Sequence, residues 1–521
     1  MDTSRRTTRS RCARKLHRSG SPEIEATQQP ADLRRRCAAA TTLYGTEAAA
    51  GVIQIFTKRG TAGGEPVWDA TIEQGFSDPN EYGIPETLRG TPTSDFPQAI
   101  SEAGGNVDYM FHDPWLRHGY QQRYGLSVRG NTNPISYSVS GQFEDLENMF
   151  VDSGARNYSL HSNTSLQVTD ELNFDLMTLY SNRNISSIAC GNNVQGVCMN
   201  APRAPTNYIG SGTFEELDKL VSLRDDVNEI NRLITGATVR YQPLENLNAR
   251  VAVGYDRAGS TGRITADYGH PSAPLGYIAL NQTLEELTTI DLATTYNLRL
   301  GSNFSTDVSS GFQFITRQNS WTEGYAQDFP GPGEMTLSGG AISQSRETRS
   351  KVVTGGFFGQ MLFGYLDRFF LTTGVRLDGN SAFGQEFGWA AYPKVSASWI
   401  VSDEGFWPQA FGDLKLRAAW GTAGRAPGAF DAVRTWSAVP WGSQSSFIPE
   451  NVGNPELGPE TTAETEVGFE LSTLEGRLNL DFTYYRQITS DALVPVRQIP
   501  TNGTGVPSSR TWASSAIRES R

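Results

Sequence analysis

The sequence predicts an all-β protein, an antiparallel transmembrane β-barrel, and three observations support that fold class. Short segments alternate apolar with polar side chains along most of the 521 residues, compact turns alternate with long polar connections, and the chain contains 53 glycines, 25 phenylalanines and 10 tryptophans. No window approaches the roughly 18–20 consecutive apolar residues that a membrane helix needs. A barrel strand exposes apolar side chains on one face only, so a mean hydropathy of −0.42 is compatible with a membrane location.

The strand pattern is clearest between residues 137 and 143. There Tyr137, Val139, Gly141 and Phe143 alternate with Ser138, Ser140 and Gln142. The pattern recurs at 172–176, 251–256 and 478–484. One such strand would also fit a soluble β-sandwich, so the repetition favours a barrel more than any single strand does.

The connections between these strands differ in length. Compact turns are predicted at 131–134 and 168–171, and long polar loops from Ser186 to about Asn231 and from Gln318 to about Arg346. Outer-membrane barrels have short turns at one end and long loops at the other. Aromatic residues near strand ends predict an interfacial girdle, although each alone would equally fit core packing. They are Trp389, Tyr392, Trp399 and Trp407.

Charge and cysteine content indicate the compartment. The formal net charge of −12 argues against a nucleic-acid partner and fits acidic loops and a polar lumen. Cys190 and Cys198 lie in one short loop, CGNNVQGVC, whose glycines and asparagines favour a turn. A disulfide between them is expected in a protein that folds in an oxidising periplasm. Two free thiols, or half of a metal site, are the alternatives.

A turn followed at once by a strand occupies residues 43–60, LYGTEAAAGVIQIFTKRG. Tyr44-Gly45 predicts a turn, and Gly51 a close approach of two backbones before the strand. The residues of this motif are Leu43, Tyr44, Gly45, Ala49 and Gly51. The stretch resembles the end of the plug domain in TonB-dependent outer-membrane transporters of the SusC/RagA type.

Three further stretches resemble the barrel of that family. They are Asp367 to Trp399, with the phrase RLDGNSAFG, Leu414 to Gly424, and Asn454 to Gly468. The resemblance extends from about Thr42 to Asn502. It departs from the family at Ala382, where arginine is usual, and at Gly458, where lysine is frequent.

The resemblance implies a domain order and a function. It divides the chain into the end of a plug (41–62) and barrel strands with extracellular loops (63–506). It implies import of a large nutrient, such as a glycan or peptide, across the bacterial outer membrane. The implied partners are a SusD-like lipoprotein, the TonB-ExbB-ExbD energy-coupling complex and membrane lipid. A passive pore or a surface-adhesion barrel without energy coupling is the alternative.

The two ends fit this scheme poorly. Residues 1–40 are basic and rich in serine and threonine, which predicts disorder or a wrong reading frame more than a nucleic-acid or targeting arm. Neither a signal peptide nor a TonB box is recognisable there. Residues 507–521 show no strand pattern, and their codons could spell a family phrase in another frame, so we hypothesise a frameshift near Pro507. With roughly fifteen strands counted, the expected product is an incomplete barrel and a non-working transporter.

No catalytic residue, cofactor site or metal site is predicted, and the protein is expected not to be an enzyme. The five histidines lack metal-ligand spacing and are expected in loops or at the surface. They are His17, His112, His118, His161 and His270. Asp256 and Asp378 are expected at solvated strand ends, and Asp225 and Asp226 on a solvated helix face. The substrate is not predicted, because loops and lumen side chains set it.

Overall fold

A computed structural model describes residues 65–78, 117–190, 193–200, 208–209, 214–442, 444–496, 508–512 and 515–520. The predicted segments 1–40 and 41–62 therefore lie outside the described residues, and the domain division stays a prediction.

Twenty strands and two short helices make up the described chain. The strands are β1 (Val67–Ser77), β2 (Gly119–Thr132), β3 (Ile135–Glu147), β4 (Gly154–Gln167), β5 (Leu172–Ser186), β6 (Arg224–Leu244), β7 (Leu247–Ala266), β8 (Tyr277–Leu300), β9 (Phe304–Gln327), β10 (Ile342–Tyr365), β11 (Phe369–Asn380), β12 (Ala390–Ile400), β13 (Asp413–Arg425), β14 (Thr435–Trp441), β15 (Gln444–Asn451), β16 (Glu460–Thr473), β17 (Leu478–Ser490), β18 (Ala492–Val496), β19 (Ser508–Trp512) and β20 (Ser515–Ser520). The helices are α1 (Val197–Asn200) and α2 (Phe214–Ser222), and short 3₁₀ segments cover Val401–Asp403 and Gln409–Phe411.

Sixteen of the strands form one antiparallel sheet, which confirms the predicted fold class. Strands β1 to β13 follow each other in sequence order, and β16, β17 and β20 continue the sheet. β1 and β20 stand at the two ends of that order, while β14–β15 and β18–β19 form separate two-stranded sheets. None of the described helices is long and apolar enough to cross a membrane.

The connections are short at one end of the sheet and mostly long at the other, as predicted. Residues 133–134, 168–171 and 245–246 lie at the short-turn end, whereas 187–223 and 426–459 lie at the long-loop end. The loops expected at 186–231 and 318–346 are shorter than predicted, because β6, β9 and β10 extend into them. Polar residues continue these ladders, as in the pairing of Thr322 with Glu347, since a strand is held by its backbone hydrogen bonds.

The two faces of the sheet differ in chemistry. We call the face that carries Asp175, Asp291 and Asp378 the inner face, and the opposite one the outer face. Apolar side chains on the outer face are exposed, which confirms the predicted alternation in the stretches at 251–256 and 478–484. Examples are Val251, Val253, Leu292, Phe357, Leu480 and Phe482.

One local prediction is wrong. Asp225 and Asp226 lie in β6, not on a helix, because their backbones pair with Thr265 and Ile264 of β7. The tail, whose sequence shows no strand pattern, forms β19 and β20, and β20 pairs with β17 from Tyr484 to Thr489. An exposed strand edge can pair with almost any backbone, so β20 pairs with β17 although its own residues do not alternate between polar and apolar. The frameshift near Pro507 stays a hypothesis.

Candidate functional site

The predicted site residues fall into two groups. The plug-end motif, Leu43, Tyr44, Gly45, Ala49 and Gly51, lies outside the described residues. Cys190 and Cys198 are joined in a disulfide, with their Cα atoms 4.9 Å apart, at the long-loop end.

The disulfide belongs to a small folded unit in the β5–β6 connection. Val197, Leu217 and Leu220 form a buried hydrophobic cluster, and Cys198 packs against it. The fully buried Asn200 donates from Nδ2 to the carbonyl oxygens of Val194 and Gly196, both at 2.9 Å, and its Oδ1 accepts from the Tyr208 N–H at 2.9 Å. The buried Asn200 amide therefore cross-links the backbone on the two sides of α1, from Val194 and Gly196 to Tyr208.

A second loop at this end, residues 267–276, contains His270. The imidazole is fully buried, and Ser272 Oγ lies 3.0 Å from Nδ1. Burial, and then the nearby Arg224 charge, lower the pKa of His270 to about 4. His270 is thus a neutral core residue of a loop. His118 is exposed beside β2, as predicted, whereas His161 is half-buried within β4 and not in a loop. His17 and His112 lie outside the described residues.

A third contact joins two of the stretches that resemble the family. The Gly384 N–H donates to the Leu457 carbonyl oxygen at 2.8 Å, and the Glu386 N–H donates to that of Pro455 at 3.0 Å. A Cβ on Gly384 would collide with the Pro455 carbonyl, so glycine is required there. These two hydrogen bonds therefore anchor the β11–β12 loop to the connection that precedes β16.

The two departures from the family lie at this contact. Ala382 is fully buried, and a Cβ on Gly458 would collide with the Phe387 ring. The small residues at both positions fit this packing.

The inner face carries a hydrogen-bonded chain of side chains across β8, β9 and β11. Arg376 Nε donates to Asp378 Oδ1 at 2.6 Å, and its Nη2 donates to Gln313 Oε1 at 2.9 Å. Gln313 Nε2 in turn donates to Asp291 Oδ1 at 2.6 Å. The Arg376 and Asp378 side chains are 1% and 0% exposed. The prediction of a solvated Asp378 is therefore wrong, because its partner is two residues away on the same face of a strand.

A glycine in β10 makes this hydrogen-bonded network of side chains possible. Gly356 pairs with Asp378, and a Cβ on Gly356 would lie 2.6 Å from Arg376 Nη2. The guanidinium group therefore crosses β10 over a position without a side chain. Sequence reasoning missed this link, because the two residues become neighbours only through strand pairing.

Other charged pairs line the inner face. Asp256 is not a solvated strand end, since Arg232 Nη2 donates to its Oδ2 at 2.6 Å within the β6–β7 pair. Arg240 pairs with Asp175, and Arg417 Nη2 donates to Asp481 Oδ1 at 2.7 Å. The inner face therefore presents charge and hydrogen-bonding groups to a polar interior, as the predicted alternation requires.

A cavity of about 870 Å³ opens on the inner face at the short-turn end. Polar and charged residues line most of it, including Asn173, Arg240, Arg250, Asp291 and Gln313. In the described part of the chain, no group of three or more His, Cys, Asp or Glu side chains could hold a metal ion. The polar lining of the cavity would allow polar groups to bind to the inner face or to pass along it.

The predicted aromatic girdle is only partly right. Trp389 is 59% exposed beside the outer-face Phe357, with ring centroids 6.3 Å apart. Trp399 and Trp407 lie at the short-turn end, where their indole N–H groups donate to Glu404 and to the Gly412 carbonyl oxygen. Tyr392 is buried on the inner face over Gly424, so it is not an interfacial residue.

Comparison with known proteins decides the family. A family model described as "TonB dependent receptor-like, beta-barrel" matches residues 192–517. The chain belongs to this family. The match covers the strands from β6 to the first residues of β20 and the connections between them.

Curated TonB-dependent receptors are similar along most of the chain. TonB-dependent receptor P26 of Formosa agariphila is 25% identical over 503 residues, which cover 88% of this chain and 50% of that receptor. TonB-dependent receptor SusC of Bacteroides thetaiotaomicron is 22% identical, over 88% of this chain and 50% of SusC. The chain therefore spans about half the length of these relatives.

The RagAB peptide transporter is similar in structure. Its superposition has a TM-score of 0.76 at 17% identity and covers 92% of this chain and 61% of that one. At this identity the likeness shows the shared fold. Recognition as a SusC/RagA-type receptor is confirmed by these matches together.

Proposed function

We propose that this chain forms part of a TonB-dependent importer in the bacterial outer membrane, which takes up a large nutrient such as a glycan or a peptide. Membership of the TonB-dependent receptor family over residues 192–517 carries the proposal. The chain acts as a transporter wall and not as an enzyme.

The chemistry of the wall supports this function. The outer face exposes apolar side chains such as Leu292 and Phe357, which lipid would cover. The inner face carries the hydrogen-bonded side chains of Asp291, Gln313, Arg376 and Asp378, which would line a hydrated passage. The long-loop end would face outward, because barrels place their short turns on the periplasmic side.

The remaining features complete the proposal. Residues 41–62, with the motif at Leu43–Gly51, form the end of a plug, and residues 63–506 form barrel strands and external loops. The Cys190–Cys198 disulfide stabilises an external loop. A SusD-like lipoprotein covers the long-loop end, and the TonB-ExbB-ExbD complex supplies energy. Support for the partners comes from the similarity to SusC and RagAB.

A genetic experiment tests the function. We would delete the gene, restore it on a plasmid, and measure growth on single glycans or peptides with and without an intact TonB. The expected result is one nutrient whose use requires both the gene and TonB. Uptake that persists without TonB would identify a passive pore instead. No nutrient phenotype, together with migration in detergent gels that never changes on boiling, would exclude a folded barrel.

A further inference from the structure

The outer face has a sharp chemical boundary toward the long-loop end. In β1–β13, β16 and β17, it carries no Lys, Arg, Asp or Glu between the short-turn end and a row of aromatic and aliphatic side chains. Tyr124, Phe143 and Tyr158 form part of this row on β2, β3 and β4, with ring centroids 6.2 Å and 5.1 Å apart. Aromatic rings favour the depth at which hydrocarbon meets the polar headgroups. The row therefore marks the edge of the lipid-facing band.

Four cations stand directly beyond this boundary, and we call them the boundary cations. Each is the next outer-face residue after the last uncharged one on its strand. The pairs are Tyr158 with Arg156 in β4, Tyr255 with Arg257 in β7, Val353 with Lys351 in β10, and Tyr484 with Arg486 in β17. The four strands are spread along the sheet, so the cations recur around the wall.

Strand direction shows that the boundary cations keep a position in the wall and not a local sequence motif. β4 and β10 run away from the long-loop end, whereas β7 and β17 run toward it. The cation accordingly precedes its uncharged neighbour in the first two strands and follows it in the other two. The order along the sequence is reversed, but the cation always lies on the long-loop side.

The two paired boundary cations keep donors for a further partner. The side chains of Arg156 and Arg257 are 57% and 49% exposed. Arg156 donates from Nη2 to Asp145 Oδ2 at 3.1 Å, and Arg257 Nε lies 4.0 Å from Glu286 Oε1. Exposed ion pairs of this kind are weak, and a guanidinium group has five N–H donors. Most of the donors on both arginines therefore remain accessible.

The other two boundary cations have no acidic partner. Lys351 and Arg486 form no ion pair in the described part of the chain. A nearby outer-face carboxylate, Glu229, accepts from the side-chain amides of Asn182 and Asn231, both at 3.0 Å. Positive charge is therefore in excess at the boundary, although the whole chain has a net charge of −12.

Lipid phosphates fit these positions in both charge and place. Arginine binds a phosphate group through two parallel N–H donors, and lysine binds it as a point charge. A small soluble anion would need an enclosed site, whereas exposed cations at a membrane surface attract a whole layer of anionic headgroups. A lipid whose tails cover the apolar outer face brings its headgroup to the height of the boundary cations.

We propose that the boundary cations Arg156, Arg257, Lys351 and Arg486 bind the phosphate groups of anionic lipids in the leaflet at the long-loop end. The inference rests on the membrane location in the proposed function and adds a class of lipid partner to it. The neighbouring tyrosines would lie between the lipid tails and the phosphate layer.

The test measures lipid binding by the full chain folded in detergent. Titrations followed by native mass spectrometry would use lipid A with its phosphates, the same lipid after phosphatase treatment, and inorganic phosphate. One combined variant carries Arg156→Gln, Arg257→Gln and Arg486→Gln, and a second carries lysine at the same three positions.

Arg232→Gln is the matched control. The Arg232 side chain is 48% exposed, close to the 49% of Arg257, and it lies on the inner face of the adjacent strand β6. Heat-modifiable migration would show that each variant is folded.

We expect phosphorylated lipid A to bind the parent chain, the Arg232→Gln variant and the lysine variant, and to bind the combined glutamine variant about tenfold or more weakly. The dephosphorylated lipid should bind the parent chain as weakly as phosphorylated lipid A binds the glutamine variant. If the combined glutamine variant does not fold, the three single glutamine variants decide, and each should bind about fivefold more weakly.

Three outcomes would overturn the proposal. They are equal binding of the two lipids by the parent chain, unchanged binding by the glutamine variants, and an equal loss in Arg232→Gln. Inorganic phosphate that binds as tightly as phosphorylated lipid A would identify a free-anion site and overturn the lipid assignment.

The result separates the two proposals. Phosphate-dependent lipid binding without TonB-dependent growth would contradict the import function and leave the boundary cations as a lipid site. TonB-dependent growth, with equal binding of the two lipids, would overturn the lipid site alone.

Discussion

Neighbouring residues of β10 show how differently the two faces of the wall are built. Phe357 on the outer face is 53% exposed and packs on Phe312, with ring centroids 4.8 Å apart. Phe358 on the inner face lies over Gly311, where a Cβ would lie 2.5 Å from its ring. Two adjacent glycines differ in the same way. A Cβ on the outer-face Gly355 would meet no atom within 4 Å, whereas a Cβ on the inner-face Gly356 would lie 2.6 Å from Arg376 Nη2. The outer face has room for added volume, and the inner face is closely packed around polar groups.

The largest effect is expected where the inner face loses a charge. Asp378→Ala leaves the buried Arg376 without its carboxylate, and removing one partner of a buried pair costs about 3–5 kcal/mol. Urea titration of the folded barrel in detergent, followed by heat-modifiable migration, would measure the free energy of unfolding.

The control for Asp378→Ala is Asp145→Ala on the outer face. Asp145 pairs with Arg156 beyond the last apolar outer-face residue of β3, Phe143, close to the long-loop end of the strand. The Arg156 side chain is 57% exposed there, so the loss should be about 1 kcal/mol or less. Equal losses in the two variants would show that the faces do not differ in this way.

A second prediction concerns charge on the lipid side. Leu292→Arg places a cation on the outer face, where the cost is about 2–4 kcal/mol near the membrane midplane. Ala293→Arg places the same side chain on the inner face, because Ala293 pairs with the inner-face Gly311 and neighbouring residues of a strand point to opposite faces. We expect only Leu292→Arg to reduce the folded fraction after refolding into lipid vesicles. A greater loss for Ala293→Arg would reverse our assignment of the faces.

A third prediction uses the two adjacent glycines. Gly356→Ala should destabilise the barrel by about 1–3 kcal/mol, because the methyl group displaces the Arg376 guanidinium. Gly355→Ala should be neutral or stabilising by up to about 1 kcal/mol, since glycine in a strand interior is unfavourable. The same urea titration measures both. Indistinguishable midpoints would show that the inner face can adjust around Gly356.

The smallest effect extends the comparison to the loops. His270 has a pKa lowered to about 4 in the folded chain, whereas an unfolded histidine titrates near 6.5. Between those values the unfolded loop binds the proton, so local stability falls as the pH drops from about 6.5 toward 4. Hydrogen exchange of α2 should therefore become faster at pH 5 than at pH 7.5, after correction for intrinsic rates.

The His270→Gln variant is expected to lose most of this pH dependence. His118→Gln is the control, because the side chain of His118 is 70% exposed. Unchanged pH dependence in His270→Gln would assign the effect to other groups.

The local features of the wall could be predicted from the sequence. Alternation at 251–256 and 478–484 identified real strands and their apolar face, because a period of two residues is a property of one strand alone. The turns at 131–134 and 168–171 were predicted for a similar reason, since turn residues act within a few positions. The phrases around Asp378 and Asn454 identified the family before any contact between them was visible.

Side-chain partners across strands could only be known from the tertiary structure. Asp378 looked like a solvated strand end, Tyr392 an interfacial aromatic residue and Asp225 part of a helix, and none of the three is so. The link from Arg376 to Gln313 joins residues 63 positions apart, and it needs Gly356 between them.

Register explains this division between sequence and structure. The alternation of polar and apolar residues depends only on residues within one strand. The sequence by itself therefore determined the fold class, the polar and apolar faces and the family of this chain. Which residues meet across strands depends on the pairing of one backbone with another, where a shift of one residue moves every side chain to the opposite face. The tertiary structure alone therefore decided the buried hydrogen-bonded network on the inner face.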